Sequence, residues 1–330
     1  MNWPPTPPLP LANRVGSLAD ADDPLSYYDW LGRRAKEDIL AVLPEDYDFT
    51  DKRVLDFGCG AGRTLRHFLD EARRGSFSGC DIDGESVDWI REHLSPPLTA
   101  FRNEDAPPLP AADGAFDLIW CVSVFTHLTD HWAPWLLELH RVLDDEGRLL
   151  VTFMGEGMSE IIAGEAWDEG RVGMNVLRWG QGWDLGGPMV MHSPWWIQAH
   201  WGRAFEVEAL VPSGFATDSD VGQGVALLRK KSIALEPIDL ERAEEDEPRE
   251  LKALRHELSH SRAEMAQLRH DRDWLNARVA EVEARSLAQE DTIQGQEVLI
   301  RAFRTSRTWR LAAPLRRLAN WRRQRGTRVR

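Results

Sequence analysis

Three cysteines in 330 residues, Cys59, Cys80 and Cys121, are too few and too scattered for a disulfide framework. Each falls in or beside an apolar run with the character of a buried strand, so a reducing cytoplasm is the expected setting. No apolar run is long enough to span a bilayer. The proline-rich residues 1–10 lack the charged start and apolar stretch of a signal peptide. A protein that is neither secreted by that route nor integral to a membrane is expected. Positive charge is scarce as well: 40 Lys and Arg stand against 54 Asp and Glu, a net charge of -14. A general nucleic-acid binder needs concentrated basic residues on its contact surface, so that class is disfavoured and no nucleic-acid partner is expected. The shortage reverses at one end. Beyond Ile300 there are eleven arginines and no Asp or Glu, which makes a basic arm on an acidic body.

What is present is an alternation of short apolar strands and helical stretches. Residues 28–43 carry Leu31, Ala35, Ile39 and Leu43 at helical spacing and stop at Pro44. Strands are expected at 54–57, 77–80, 98–101, 118–122 and 149–153, with helices after Gly62, after Ser86 and over 135–142. This rhythm implies a parallel sheet covered on both faces. From Gly155 to His192 it breaks into a stretch rich in Gly, Met and Trp. Ser193 then caps a helix over 193–204 with Pro194 in its first position, and two last strands follow at 205–211 and 224–229.

Residues 234–250 turn acidic, hold Pro237 and Pro248, and are expected to be a solvated linker. A heptad then runs over 251–300, with Leu251, Leu258, Met265, Arg272, Val279, Ser286, Ile293 and Ile300 at a and Leu254, Ser261, Leu268, Leu275, Val282, Gln289 and Gln296 at d. It predicts a coiled coil, weaker in its distal half, and hence a homo-oligomer. The polar Arg272 and Ser261 lower coil stability without choosing between dimer and trimer. One amphipathic helix folded against the globular domain is the alternative. Within the heptad, His256-Glu257-Leu258-Ser259-His260 matches the H-E-x-x-H pattern of zinc proteases. With Leu258 at a, His256 and His260 are expected to face outward at f and c with no third ligand, so no metal site is assigned.

The chemistry concentrates at Val54-Leu55-Asp56-Phe57-Gly58-Cys59-Gly60-Ala61-Gly62-Arg63, a buried strand running into a glycine-rich turn that opens a helix. Such a turn binds a ligand at the carboxyl end of a sheet. The spacing is G-x-G-x-G, and Arg63 stands where a dinucleotide loop of the form G-x-G-x-x-G wants glycine, so NAD is disfavoured.

Here the chain resembles class I S-adenosylmethionine-dependent methyltransferases (type 11/12/25-like), whose first motif is an acidic residue followed by G-x-G-x-G. The likeness continues through Gly79-Cys80-Asp81-Ile82-Asp83, through Glu104-Asp105-Ala106 ahead of Phe116-Asp117-Leu118-Ile119, through Cys121-Val122-Ser123 to His127-Leu128, and through Arg141-Val142-Leu143 to Gly147. It implies an α/β, Rossmann-like seven-stranded methyltransferase sheet over residues 27–233, after a proline-rich segment 1–26, with S-adenosyl-L-methionine as cofactor. By the same resemblance Asp56 helps hold the methionine end, the loop of Gly58, Cys59, Gly60 and Gly62 approaches the ligand, and Asp81 accepts both ribose hydroxyls. Ile82 packs on the adenine, Asp105 and Ala106 read its edge, and Cys121 and Ser123 lie beside the sulfonium. Asp83 is the weaker ribose candidate because it lies beyond the strand. For each acid, a loop carboxylate or helix cap is the alternative.

Methyl transfer needs alignment of an acceptor lone pair behind the methyl group, and a base if the acceptor is a poorly acidic hydroxyl. His127, just after the fourth strand, is the first base candidate and His192 the second. Trp167, Trp179, Trp183, Trp195 and Trp196 surround the irregular insertion and could stack on a sugar, although core packing is the commoner use of tryptophan. In the basic tail 301–330, Ser306-Arg307-Thr308-Trp309-Arg310-Leu311-Ala312-Ala313-Pro314-Leu315-Arg316-Arg317-Leu318 resembles a segment that ends coiled-coil extensions of bacterial glycosyltransferases and methyltransferases of surface-polysaccharide assembly. Trp309, Leu311, Leu315, Leu318 and Trp321 among arginines suit an interfacial helix on an anionic membrane. The expected acceptor is thus a sugar or lipid-linked glycan at the inner face of the plasma membrane, with a glycosyltransferase as a further partner. A small metabolite or a protein is the alternative acceptor, and a non-enzymatic coiled-coil scaffold the alternative role.

Overall fold

The computed structural model describes residues 5–14, 18, 21–182, 186–312 and 314–315. After a short helix, α1 (Leu9–Ala12), helix α2 (Pro24–Val42) starts where Asp23 caps it by accepting the Ser26 amide, with Pro24 at the first helical position, where its missing N–H costs nothing. Five strands then run parallel: β1 (Arg53–Phe57), β2 (Ser76–Asp81), β3 (Thr99–Arg102), β4 (Phe116–Cys121) and β5 (Leu143–Phe153). Helix α3 (Gly84–His93) lies between β2 and β3, and helix α4 (Trp132–Val142) between β4 and β5.

The chain ends its sheet with an antiparallel pair, β8 (Phe205–Phe215) and β9 (Gln223–Lys230). β9 inserts beside β5, and the seven strands stand in the order β3-β2-β1-β4-β5-β9-β8. This is the seven-stranded methyltransferase order with its last strand reversed. Alternate side chains of each strand feed two cores. Leu55, Phe57, Ile119, Cys121, Leu149 and Val151 pack under α4, while Val54, Leu118, Trp120, Leu150 and Leu227 pack under α2 and α3. Trp120, Phe68 and Phe77 are fully buried in the second core, with the Trp120 and Phe68 rings 4.6 Å apart. Burial of rings this large is the main term holding α2 and the loop after β1 to the sheet.

The helix expected after Gly62 is absent as an α-helix. Gly62 has φ of +78°, and two tight three-residue-period turns, Leu65–Phe68 and Glu71–Arg73, fill the space before β2. Leu65 and Phe68, three apart, are both fully buried.

Between β5 and β8 lies the irregular insertion. It holds a one-turn helix, α5 (Ser159–Ile162), and a separate hairpin of β6 (Met174–Leu177) and β7 (Met189–His192). Helix α6 (Pro194–His200) follows, capped by Ser193 Oγ accepting the Trp196 amide, and ends four residues before the expected stop, in a tight turn at Trp201–Arg203.

Residues 234–250 are not a free linker. They contain the short helix α7 (Pro237–Glu241), whose Leu240 is fully buried, and the Arg203 guanidinium holds the carbonyls of Asp239, Leu240 and Arg242. Helix α8 (Glu250–Thr305) is continuous for 56 residues. The first compact unit, Met1–Arg262, includes its opening turns, and the second begins at Ala263. Ser306 ends α8 and caps α9 (Arg307–Leu311). Of the tail expectations, Leu318 and Trp321 and the arginines from Arg316 onward lie outside the described residues. Among the described residues no helix is long and apolar enough to cross a membrane.

Candidate active site

The carboxyl ends of β1, β2 and β4 converge on the glycine loop. Gly58 (φ +76°), Gly60 (φ +51°) and Gly62 are all in the left-handed region that L side chains avoid. The three are not equivalent. A Cβ on Gly58 would stand 2.3 Å from Val124 Cγ2, so the turn needs that glycine to close on β4. A Cβ on Gly60 meets nothing within 4 Å, so this position of the loop borders open space.

Asp81, the last residue of β2, faces the loop. Its Oδ2 accepts the Gly60 amide at 2.7 Å and its Oδ1 accepts the Asp83 amide at 2.9 Å. Each carboxylate oxygen retains a second lone pair, which is what two vicinal ribose hydroxyls require. Burial raises the Asp81 carboxyl above its ordinary value, opposed by the Asp83, Gly60 and Ile82 amides. Ile82 is 40% exposed beside it, an apolar side chain held open at the place expected for a base. Asp83 is otherwise engaged: it pairs with Arg14 (3.0 Å) and accepts the Ser86 hydroxyl at the start of α3.

Asp56 is buried with its Oδ2 unpartnered, and burial pushes its carboxyl up to about 7. Tyr28 of α2 is also buried with an unpartnered hydroxyl, and Arg63, Arg66 and Asp56 lie within its electrostatic reach. It comes so close because Gly32, one turn on, lets α2 press on the loop. A Cβ at Gly32 would stand 2.0 Å from the Arg63 carbonyl oxygen. Tyr28 and Arg63 were not singled out from sequence. The glycine at 32 in an otherwise good helix was the available signal.

Asp105 is exposed after β3, its carbonyl oxygen taken by Trp135 Nε1 at 3.1 Å, with Ala106 partly buried next to it. Cys59 and Cys121 turn their thiols into the core, where burial raises both, so only their backbones can face a ligand. Ser123 has φ of +61°, a strained conformation for serine that is held from two sides: its amide donates to Thr152 Oγ1 (2.8 Å), and Gln223 Nε2 donates to its hydroxyl (2.8 Å). Thr152 and Gln223 were also missed, since β9 reaches this point only through the sheet order.

The two histidines separate. His127 follows β4, with Nδ1 2.7 Å from the Pro188 carbonyl oxygen. The carbonyl fixes the proton on Nδ1, so the neutral ring carries its lone pair on Nε2. Burial lowers its pKa, which favours that neutral form. His192 has a different environment. It is fully buried, 5.3 Å from the rings of both Trp196 and Trp201, and burial lowers it to about 3. Neither of its ring nitrogens has a hydrogen-bond partner among the described residues.

Trp195 and Trp196 are likewise core residues, Trp195 Nε1 donating to the Glu169 and Val172 carbonyls, while Trp167 joins a small cluster with Met154 and Met191. Of the expected lid tryptophans only Trp179 is exposed, and Trp183 lies outside the described residues. The insertion nevertheless covers the carboxyl edge of the sheet through its backbone: Val190 N–H donates to Thr126 O, and His192 N–H to Met154 O.

A glycine loop at Gly60, a carboxylate with spare lone pairs at the end of the next strand, an exposed Ile82 and a buried Asp56 with one unpartnered oxygen fit a sulfonium nucleoside. With the reversed last strand they resemble the cofactor site and sheet of class I S-adenosylmethionine-dependent methyltransferases. Residues 54–147 match the family model described as methyltransferase domain. The chain is 30% identical over 129 residues to the fatty-acid O-methyltransferase of Mycolicibacterium smegmatis, covering 39% of this chain and 46% of that one. It is also 30% identical over 129 residues to the trans-aconitate 2-methyltransferase of Rhizobium etli, covering 38% and 46%. The chain spans about half the length of the curated relatives it matches. Among solved structures, a SAM-dependent methyltransferase from Aquifex aeolicus aligns with a TM-score of 0.43 at 17% identity, covering 66% of this chain and 98% of that one.

Proposed function

We propose that this chain is an O-methyltransferase that transfers a methyl group from S-adenosylmethionine to a hydroxyl of a sugar or lipid-linked glycan in bacterial surface-polysaccharide assembly. The observation that carries the cofactor part is the pairing of Asp81 with the open Gly60 loop. S-adenosylmethionine, when bound, supplies a methyl group made electrophilic by its sulfonium. Asp81 binds the ribose, Ile82 lies under the base, Asp105 and Ala106 line its edge, and Asp56, Tyr28 and Arg63 surround the methionine end. Ser123, pinned by Thr152 and Gln223, shapes the wall where β4 ends. His127, neutral and oriented by Pro188, would take the acceptor's proton on Nε2, while the sulfonium would give up its bond to the methyl carbon and leave as S-adenosylhomocysteine.

The glycan acceptor rests on the tail's resemblance and on its composition. The described part of that tail keeps Leu311 and Leu315 exposed among arginines, as an interfacial segment would. A peripheral site at the inner membrane face places lipid-linked acceptors within reach. The heptad stripe is the proposed self-association surface: Leu251, Leu254, Leu258, Met265, Leu268, Leu275, Val279 and Val282 are each about half exposed or more on α8. A second reading is favoured by relatives named for acids, the fatty-acid enzyme and a malonyl-[acyl-carrier protein] O-methyltransferase of Geobacter sulfurreducens, 28% identical over 131 residues. A carboxylate acceptor is already a nucleophile and needs no base. His127→Asn separates the two: with a hydroxyl acceptor kcat falls about 10²–10⁴-fold at unchanged cofactor affinity, with a carboxylate it changes by no more than about 3-fold. Purified glycans, lipid-linked sugars and small acids, assayed with radiolabelled cofactor, are the test. Labelling of no glycan by a protein that binds the cofactor overturns the glycan reading.

A further inference from the structure

The opening turns of α8 carry two different faces. Leu251, Leu254 and Leu258 lie on the exposed stripe. Glu250, Ala253 and Glu257, spaced to share a neighbouring face, are fastened to the insertion. The Glu257 carboxylate accepts Asn175 Nδ2 at 2.8 Å through Oε2 and the Val176 amide at 3.1 Å through Oε1, so a helix side chain completes the hydrogen bonding of strand β6. Asn175, buried, passes the restraint on by accepting the Gly173 amide. A Cβ on Gly173 would stand 3.2 Å from Ala253 Cβ, so helix and strand approach at a pair of small residues. Glu250 pairs with buried His200 at 3.2 Å. His256 therefore does not face outward as the heptad suggested; its Nδ1 is 3.4 Å from Asn175 Nδ2, and the glutamate of the H-E-x-x-H match is spent on the strand.

The strand so held belongs to the hairpin that closes over the end of β4. Its connecting loop supplies the Pro188 carbonyl on His127, and β7 supplies the Val190 amide on Thr126. We infer that Glu257 is a positioning residue: by clamping β6 it fixes the β6–β7 hairpin over His127, so that the root of the long helix is a working part of the acceptor side of the site. The inference rests on the methyltransferase reading for the word acceptor, while the clamp itself does not. It also gives the helix a role besides self-association, since truncation before Glu257 would loosen the hairpin even in a monomer.

The test compares full-length wild type with Glu257→Ala, Glu257→Gln and Leu258→Ala, the last on the exposed face of the same turn. Hydrogen exchange is followed at residues 174–177 and 189–192, the His127 ring is titrated by NMR, and S-adenosylhomocysteine affinity is measured by calorimetry. Glu257→Ala is expected to speed exchange of the hairpin amides at least about 10-fold and to raise the His127 titration midpoint as its burial is relieved, with S-adenosylhomocysteine affinity changed less than about 2-fold. Glu257→Gln, which keeps one acceptor for the Val176 amide, restores part of the protection, and Leu258→Ala leaves both readouts at wild type. Hairpin exchange and a His127 midpoint unchanged in Glu257→Ala overturn the clamp. Lack of S-adenosylhomocysteine binding by wild type would instead sink the cofactor reading and leave the exchange result to stand.

Discussion

Replacing Asp81 tests the cofactor site most directly, because its two oxygens do two jobs. Each already accepts one backbone amide, from Gly60 and from Asp83, and each would accept one ribose hydroxyl. Asp81→Asn leaves one acceptor oxygen and turns the other position into a donor. One charge-assisted ribose bond is lost, about 2 kcal/mol, and a donor now faces a backbone N–H, loosening the loop at a cost of about 1 kcal/mol more. About 3 kcal/mol corresponds to about 150-fold weaker binding. Asp81→Ala removes both acceptors and should approach about 1000-fold. Calorimetric titration with S-adenosylhomocysteine reads the loss, and thermal melting of the ligand-free protein checks the fold. The melting point should move little, since removing a carboxylate whose burial is unfavourable offsets the lost amide contacts. Affinity within about 5-fold of wild type in a folded Asp81→Ala protein would refute the ribose assignment.

The glycines give opposite outcomes. Gly60→Val, whose side chain enters open space, should cost only about 1 kcal/mol of stability for its φ of +51° yet abolish calorimetric binding of S-adenosylhomocysteine. Gly32→Ala, whose Cβ collides with the Arg63 carbonyl, should cost about 2 kcal/mol or more in urea unfolding as α2 is pushed from the loop. Asp56 makes the ligand-free protein sensitive to pH. Its folded carboxyl is raised from 3.8 to about 7, so the native state holds a proton that the unfolded chain releases. Its contribution is therefore present below about pH 4, is lost as pH rises toward 7, and levels off above, a span of order 4 kcal/mol at most. Asp56→Asn should remove this slope, melting higher than wild type at pH 8 and alike at pH 4; parallel pH profiles for the two proteins would count against the burial argument. Leu268→Lys with Leu275→Lys, on the exposed stripe of α8, should lower the mass measured by light scattering to that of a monomer while S-adenosylhomocysteine still binds.

Local pattern alone carried much of this protein. Val54 to Arg63 announces a buried strand and a glycine turn because both are specified by consecutive residues, and Asp81 follows because the end of the next strand is read from the same alternation. The C-terminal end of α2, the Ser193 cap and the long α8 are also local: a cap, a proline or an uninterrupted period is enough to place them, whereas α2 starts four residues before the expected Tyr28, at Pro24. Between Gly62 and β2 local pattern failed, since the tight turns at Leu65–Phe68 and Glu71–Arg73 stand where an α-helix was expected. Tertiary structure alone brought Gln223 and Thr152 to Ser123, through a sheet order that sets β9 beside β5, and set Tyr28 beside Arg63. It also divided the histidines, since burial among Trp196 and Trp201 is a property of packing that no residue type declares. The same holds for Glu257. In the heptad it is one charged residue among many, and only the meeting of α8 with the free edge of β6 gives its carboxylate two donors, because an unpaired strand amide must find an acceptor wherever the fold supplies one.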